Sequence, residues 1–255
     1  MTSQQKGKLY LLPAPLDFGC EQIAPLQDVM PLRTLQIAAN LGHIVCENAN
    51  STRAYLKRVG EVVLLGQLIQ ALQIQELPRE VHKKGDHTGN FDARPLLKAA
   101  LDGHDVGLVS EAGMPAIADP GSSVVRAAHD SGIEVIALTG PMSLILALAS
   151  SGLNGQNFAF VGYLPQDSGE RGVRIKTLES IALKTGQTQI FIETPYRNKV
   201  LLEALLLTLH SNTRLAISCG LTLDQAWNKS ATIDKWKKDK PMPPLGLPSV
   251  FCIGR

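Results

Sequence analysis

The sequence is poor in cysteine and lacks any apolar run long enough to cross a membrane. Its four cysteines stand singly among 255 residues, without a C-x-x-C pair, which argues against a disulfide framework and a structural zinc site. The first residues, MTSQQKGKLYLLPAPL, contain no apolar core of the length that secretory signals have. We therefore expect a cytoplasmic protein with no membrane-spanning segment.

An excess of one charge is also lacking, because 25 Lys and Arg residues oppose 23 Asp and Glu residues. The net charge of +2 does not predict nucleic-acid binding, although it leaves room for a local basic surface. Aromatic residues make up only 5% of the chain, so composition does not indicate a base-stacking platform. The hydrophobic share of 44% is enough for a large buried core.

Several enzyme signatures are missing as well. There is no G-x-G-x-x-G and no G-x-x-x-x-G-K-[ST], which weakens the dehydrogenase and phosphoryl-transfer hypotheses. No serine lies in a G-x-S-x-G elbow, and the six histidines form no H-x-x-x-H pair. We predict no metal site, although His82 and His87 share a polar segment that contains acids.

What the sequence does contain is a regular alternation of apolar strands and helical segments. Predicted strands such as KLYLL, HIVCE and DVGLVS alternate with predicted helices such as STRAYLKRVG, for which Ser51 is the expected N-cap. This alternation predicts an α/β protein with largely parallel sheets. Because one run of units is complete near Gly140-Pro141, we predict two α/β domains, residues 1–140 and 141–255.

The segment SEAGMPAIADPG, residues 110–121, combines turn residues with little bulk at the end of a predicted strand. In open α/β sheets, ligands bind outside the carboxyl ends of the strands. Gly113 and Gly121 permit a close approach to the backbone, and Glu111 and Asp119 are able to accept hydrogen bonds from ribose hydroxyls. The alternative is an ordinary turn in which Asp119 caps the following helix.

Four stretches resemble the successive motifs of the tetrapyrrole methylase superfamily: SEAGMPAIADPG, LTGPMSLILALASSGL, FVGYLP and IFIETPYR. Their order and spacing match from about Leu9 to Thr222, and they are similar above all to the branch that methylates 2′-hydroxyls of small-subunit ribosomal RNA. The resemblance implies two α/β domains with a cofactor cleft between them, S-adenosylmethionine as cofactor, ribosomal RNA as acceptor and a homodimer. The family lacks the G-x-G loop, in agreement with its absence here.

Carried over by position, the resemblance also implies the residues that contact the cofactor. They are Pro13 and Ala14 under the methyl donor, Glu111, Ala112, Gly113 and Met114 at one side, Ser143 and Leu144 at a helix start, and Ile192, Gly220, Leu247 and Pro248 at the far side. Each has a structural alternative, such as a place in the core for Ile192 or in a turn for Gly220.

The catalytic hypothesis concerns Glu193 and Arg197 in IETPYR. Methyl transfer is an in-line displacement, and a hydroxyl acceptor benefits from a base, for which Glu193 is our candidate. Arg197 is the candidate for holding an anionic substrate group, because a guanidinium suits phosphate or carboxylate. The alternative is that the two residues form an ion pair with each other.

The sequence departs from the RNA-methylating branch on the substrate side, where Asn48 replaces an acid and Leu223 replaces a lysine. Methylation of a small tetrapyrrole-like acceptor, or a relative that binds the cofactor without turnover, are therefore kept as alternatives. Candidate RNA contacts form two basic sets, with two further lysines in a predicted loop of the first half of the chain: Arg171, Arg174 and Lys176; Lys235, Lys237, Lys238 and Lys240; and Lys83 and Lys84.

Overall fold

The computed structural model of the chain describes residues 5–17, 19–84, 86 and 91–255, and for residues 82–84 the backbone alone. The chain divides into two compact units. Unit 1 comprises Met1–Gly19 and Ile23–Pro141, and unit 2 comprises Cys20–Gln22 and Met142–Arg255. Each unit contains a five-stranded sheet with helices packed against it.

The sheet of unit 1 is parallel throughout, with strand order β3-β2-β4-β1-β5. The central strand β4 is buried at every residue, as expected for a strand that is covered on both faces. The strands are β1 Leu9–Leu12, β2 His43–Cys46, β3 Gln73–Glu76, β4 Val106–Val109 and β5 Val135–Ala137. The helices are α1 Leu26–Val29, α2 Leu32–Asn40, α3 Ala49–Val62, α4 Arg79–Lys84, α5 Lys98–Leu101 and α6 Ser122–Asp130, with short 3₁₀ turns at Ile69–Ala71 and Arg94–Leu97.

Helix α3 begins earlier than the sequence pattern predicts. Asn48 is its N-cap, and the side-chain oxygen of Asn48 accepts hydrogen bonds from the amides of Asn50 at 2.8 Å and Ser51 at 3.2 Å. The prediction that Ser51 caps this helix is wrong, because Ser51 is already its third residue. Asparagine is at least as good an N-cap as serine, and the upstream oxygen satisfies the free amides first.

The sheet of unit 2 has strand order β6-β7-β10-β8-β9. Only β6 and β7 are parallel, so the expectation of largely parallel sheets is correct for unit 1 and wrong for unit 2. β8 and β9 are joined by a turn rather than by a crossover helix, which makes them antiparallel. The elements are β6 Phe158–Tyr163, β7 Thr188–Glu193, β8 Arg214–Cys219, β9 Trp227–Thr232, β10 Ser249–Gly254, α7 Ser143–Ser151, α8 Ser168–Thr185, α9 Asn198–Thr208 and α10 Ile233–Asp239, with a 3₁₀ turn at Pro195–Arg197.

Each sheet buries apolar side chains on both faces. In unit 2, Phe191 and Phe251 stack with their ring centroids 5.9 Å apart, and the buried Trp236 donates from Nε1 to the Leu215 carbonyl at 2.9 Å. The opposite face of the same sheet packs against α7 through a separate cluster that includes Leu144 and Ile190. In the part of the chain that the structure describes, every helix is too short or too polar to span a bilayer.

Candidate functional site

In unit 1, the loops that follow β1 and β4 are joined by a short backbone bridge. The amide of Ala14 donates to the Gly113 carbonyl at 2.9 Å, and the amide of Gly113 donates to the Ala14 carbonyl at 3.0 Å. β1 and β4 are neighbouring parallel strands, so their carboxyl ends meet at one edge of the sheet. The structure thus brings together the predicted contacts of unit 1: Pro13, Ala14, Glu111, Ala112, Gly113 and Met114.

The loop after β1 is held in place by α3. The Tyr55 hydroxyl donates to the Pro13 carbonyl at 3.0 Å, and Arg58 forms a bidentate pair with Asp17 at 3.1 and 2.9 Å. Tyr55 and Asp17 are both buried. Because a bidentate guanidinium pair fixes both distance and orientation, it anchors the loop that carries Pro13 and Ala14 to α3.

Three carboxylates gather beside this bridge. The amide of Glu111 donates to Oε1 of Glu47 at 3.3 Å, and the Ser51 hydroxyl donates to Oε1 of Glu111 at 3.4 Å. Burial raises the pKa of Asp119 to about 7, and the negative charges of Glu47 and Glu111 add to this effect. The cluster therefore favours hydroxyl donors, and Asp119 changes its protonation state near neutral pH.

The backbone of residues 115–121 has an unusual conformation. Ala116 and Ala118 have φ angles of 64° and 67°, which residues with a Cβ rarely adopt. Gly121, with a φ of 131°, precedes α6. Such backbone angles persist only where the surrounding contacts enforce them, and they are concentrated at ligand-binding sites.

Helix α6 is capped by Asp86, not by Asp119. The buried Asp86 carboxylate accepts from the amides of Gly121 at 3.0 Å and Ser123 at 2.8 Å, and also from the hydroxyls of Ser122 and Ser123. The alternative in which Asp119 caps this helix is therefore wrong. Sequence reasoning missed Asp86 because it lies 35 residues before Gly121, beyond the reach of any local capping pattern.

In unit 2, strand register brings the remaining predicted contacts to one end of the sheet. Val250 in β10 pairs with Ile192 in β7, and the amide of Gly220 donates to the Pro248 carbonyl at 2.9 Å. Gly220 has a φ of 59°, and a Cβ at this position would lie 2.7 Å from Cδ1 of Leu247. Only glycine therefore fits this turn without a shift of its neighbour.

Helix α7 begins beside these residues. Ser143 is its first residue and is partly exposed, whereas Leu144 is buried in the cluster that contains Ile190 and Val250. Ile192 packs against the same cluster. The predicted contacts of unit 2 are thus associated with one end of its sheet, as those of unit 1 are with one edge of the other sheet. They are Ser143, Leu144, Ile192, Gly220, Leu247 and Pro248.

Glu193 and Arg197 form the mutual ion pair that the sequence left open as an alternative. Nη2 of Arg197 lies 3.0 Å from Oε2 of Glu193, whose side chain is only 2% exposed, against 22% for that of Arg197. Oε1 of Glu193 accepts from the Thr194 amide at 2.8 Å. Both carboxylate oxygens are thus engaged, and a catalytic role for either residue stays a prediction.

The two departures on the substrate side have local structural roles. Asn48 caps α3, and Leu223 is buried in the turn after β8, where its amide donates to the Gly220 carbonyl at 3.0 Å.

One of the predicted basic residues does not lie at the surface. Arg171 is buried and donates from Nη1 to the Gln166 carbonyl at 3.0 Å, so its assignment as an RNA contact is wrong. Arg171 differs from the predicted surface position because α8 begins at Ser168. In this helix the side chain of Arg171 is directed inward, toward the loop before the helix. By contrast, four lysines on α10 and at its end are exposed: Lys235, Lys237, Lys238 and Lys240.

Some of the candidates belong to the segment around His87. His87, together with the side chains of His82, Lys83 and Lys84, lies outside the described residues. Among the residues that are described, no three His, Cys, Asp or Glu side chains converge in a way that would hold a metal ion.

These features define a class: an α/β protein whose loops at strand ends present backbone and small side chains, without a dinucleotide-binding glycine motif. The chain belongs to the family of tetrapyrrole (corrin/porphyrin) methylases, whose family model matches residues 27–227. The family resemblance of the sequence motifs is thereby confirmed.

Curated relatives are ribosomal RNA small subunit methyltransferases I. The protein of Mesorhizobium japonicum is 33% identical over 84% of this chain and 63% of its own length. Those of Halalkalibacterium halodurans and Escherichia coli O157:H7 are 29% and 30% identical, over 89% and 85% of this chain and 73% and 66% of their own lengths. The chain therefore spans about two thirds of the length of these relatives.

Two solved structures share the fold. Uroporphyrin-III-C-methyltransferase from Thermus thermophilus has a TM-score of 0.53 at 17% identity, and the methyltransferase CobJ has a TM-score of 0.57 at 18% identity. Each comparison covers 98% of this chain and 94% of the other. The prediction of an α/β protein of tetrapyrrole methylase type is confirmed.

Proposed function

We propose that the protein is an S-adenosylmethionine-dependent methyltransferase that acts on a 2′-hydroxyl of ribosomal RNA. The observation that carries this proposal is the pair of hydrogen bonds between Ala14 and Gly113, which holds the predicted contacts of unit 1 as one surface. Membership of the methylase family and the names of the relatives support the activity and the acceptor.

The residues present fit an adenosyl group. Gly113 has a φ of 71°, and a Cβ added there would lie 3.3 Å from Cδ2 of Leu16, so only glycine lets this loop pack closely against the loop that carries Ala14. Glu111 and Asp119 supply acceptors for ribose hydroxyls. In unit 2, the turn at Gly220 and the start of α7 at Ser143 supply further backbone contacts.

Bound S-adenosylmethionine supplies an electrophilic methyl group. The protein's own residues would have to hold the acceptor oxygen in position to attack that group. We propose that Arg197 binds an RNA phosphate with the exposed part of its guanidinium. Glu193 would accept the hydroxyl proton once Arg197 has turned to the phosphate.

The four exposed lysines of α10 are our candidate for the wider RNA contact. None of them has an ion-pair partner among the residues that the structure describes, so their charges are available to phosphates. A patch of this kind contributes affinity without sequence preference.

We also propose that the protein is a homodimer and that it works in the cytoplasm, where ribosomal RNA is found. Val200 and Leu207 on α9 are 48% and 85% exposed, and their spacing of seven residues places them on one helix face. This apolar surface is our candidate for the contact between the two copies.

The decisive experiment is a calorimetric titration with S-adenosylhomocysteine, comparing the wild-type chain with Gly113→Ala and Gly152→Ala. Gly152 is the matched control, because its φ of 68° imposes the same backbone strain and an added Cβ meets nothing within 4 Å. We expect micromolar binding that Gly113→Ala weakens at least about tenfold, since the new methyl group presses on Leu16 and displaces the two bridged loops from each other. Gly152→Ala should bind as the wild type does.

Transfer of labelled methyl from S-adenosylmethionine to small ribosomal subunits then tests the acceptor. Absence of S-adenosylhomocysteine binding would refute the methyltransferase proposal. Binding without transfer to ribosomal RNA, but with transfer to a tetrapyrrole, would refute the proposed acceptor alone.

A further inference from the structure

Two tyrosines are exposed at the same end of the unit 2 sheet. Tyr163 is the last residue of β6 and is 58% exposed. Tyr196 lies in the 3₁₀ turn directly after β7 and is 81% exposed. Because β6 and β7 are neighbouring parallel strands, their carboxyl ends lie side by side, and the two tyrosines flank the same edge.

A bulge in β6 determines which face Tyr163 occupies. Phe160 pairs with Ile190 and Tyr163 pairs with Ile192, so β6 uses one residue more than β7 over this stretch. Gly162, with a φ of 73°, accommodates the extra residue. Without the bulge, the partner of Ile192 would be Gly162. The bulge instead puts an aromatic side chain on the sheet face that carries Ile192, a predicted cofactor contact.

Neither tyrosine contributes to the apolar clusters of unit 2. The buried aromatic residues of this unit, such as Phe191, Phe251 and Trp236, fill the core, whereas Tyr163 and Tyr196 are largely exposed residues. Exposed aromatic rings beside a site are suited to stacking on flat ligands. Arg197 follows Tyr196 directly, and its guanidinium, which is paired with Glu193, is 22% exposed at the same place.

We propose that Tyr163 and Tyr196 form a stacking platform for unpaired nucleotides of the RNA substrate, next to the phosphate site at Arg197. This inference rests on the proposed function and specifies its substrate: a loop or single strand whose bases are splayed out, since paired bases hide their faces. The low aromatic content of the sequence did not indicate such a platform. Two rings are sufficient, and only the structure shows that they share an edge.

A platform for RNA fits the surroundings better than a contact with a second copy. Tyr163 pairs with Ile192 near the end of β7, and Tyr196 follows that end, so both lie beside a predicted cofactor contact, where the acceptor must arrive. The adjacent guanidinium favours an anionic partner over an apolar helix face. The apolar side chains Val200 and Leu207, by contrast, lie further along α9.

The test compares Tyr163→Ala, Tyr196→Ala and Tyr196→Phe with the wild-type chain. Phe158→Ala is the matched control, because Phe158 is also exposed, at 41%, but lies at the opposite end of β6. The probes are a fluorescent single-stranded RNA, the same RNA as a duplex, and S-adenosylhomocysteine. Sedimentation of each variant is measured alongside.

We expect each alanine variant to weaken single-strand binding about 5- to 150-fold, which corresponds to the loss of one stacked base. Duplex binding and S-adenosylhomocysteine affinity should stay unchanged, and Tyr196→Phe and Phe158→Ala should behave as the wild type does. In turnover, the Michaelis constant for RNA should rise while that for S-adenosylmethionine does not.

The outcomes separate this inference from the proposed function. A wild-type chain that binds neither S-adenosylhomocysteine nor RNA would overturn both. A wild-type chain that methylates RNA, with tyrosine variants that bind single strands equally well, would overturn the platform alone. The platform would also be overturned if the alanine variants changed the oligomeric state and left RNA binding intact, since the rings would then belong to a contact between copies.

Discussion

Asp119 changes its protonation state near neutral pH because burial and the charges of Glu47 and Glu111 raise its pKa to about 7 from an ordinary value of 3.8. The folded state therefore retains a proton that the unfolded chain loses at lower pH. The stabilising contribution of this group is complete below about pH 4 and is lost as the pH rises through 7.

Replacing Asp119 by Asn removes the charge that is costly at high pH. We expect the free energy of unfolding at pH 8 to rise by about 1–2 kcal/mol, a value reduced for solvent screening at this partly buried site. At pH 4 the difference should vanish. Urea unfolding at both pH values measures it, with Asp130→Asn on the exposed end of α6 as control. An equal effect at both pH values would contradict the assignment.

Glu193 is the residue at which a catalytic and a structural role give different kinetics. If its carboxylate accepts the acceptor proton, Glu193→Gln should lower kcat about 100-fold or more, with an unchanged Michaelis constant for S-adenosylmethionine. If the carboxylate only pairs with Arg197, Glu193→Gln should lower the stability of the protein and leave kcat nearly normal. Steady-state kinetics and thermal unfolding together distinguish the two roles. The control is Glu203→Gln, because Glu203 is an exposed acid on α9.

Helix α6 depends on one distant cap. Burial opposes ionisation of Asp86, but hydrogen bonds from Ser123, Ser122 and Gly121 hold its pKa below the ordinary value. Asp86→Ala should lower the free energy of unfolding by about 1–3 kcal/mol, because the cap is lost and buried donors are left unpaired. The loss should disappear in strong acid, where the wild-type carboxylate is itself protonated.

Chemical unfolding at neutral pH checks this prediction, with Asp92→Ala as the comparison. Asp92 pairs with Arg94 on the surface, where solvent screens such a pair and leaves it little effect on stability. Equal losses for the two variants would mean that the cap contributes no more than a surface contact.

The lysines of α10 should determine how RNA affinity responds to salt. In Lys237→Gln/Lys240→Gln, the slope of log Kd against log salt concentration should fall by about 1.5, since each lysine releases roughly 0.7–0.9 counterions. The paired control is Lys8→Gln/Lys98→Gln in unit 1, where both lysines already bind acids. A wild-type slope in the α10 variant would place the RNA contact elsewhere.

Helices and strands with a clear apolar pattern in the sequence were predictable. Strands that form only because they pair with a neighbouring strand were not. The apolar run DVGLVS corresponds to β4, which is buried throughout. β9, with the sequence WNKSAT, has no such run and forms as the outer neighbour of β8. The bulge at Gly162 was equally unpredictable from the sequence, because it is defined by the register between β6 and β7.

At the scale of the whole molecule, the candidate site could be outlined from the sequence but not described. Loops that follow neighbouring parallel strands must share an edge, which is why the positions around Ala14 and Gly113 were predictable as a group. The acid cluster of Glu47 and Asp119 and the cap from Asp86 join segments far apart in the chain. No local pattern encodes such contacts.

The oligomeric state is the remaining property of the whole molecule that has a specific test. We expect the wild-type chain, 27.5 kDa per copy, to sediment with the mass of two chains. Leu207→Glu should raise the dissociation constant at least about tenfold, because a charge buried in an apolar contact has no compensating partner. Leu64→Glu is the matched control, since Leu64 is 94% exposed but belongs to unit 1. A wild-type monomer at every concentration would rule out the dimer, whereas a dimer unaffected by Leu207→Glu would move the contact away from α9.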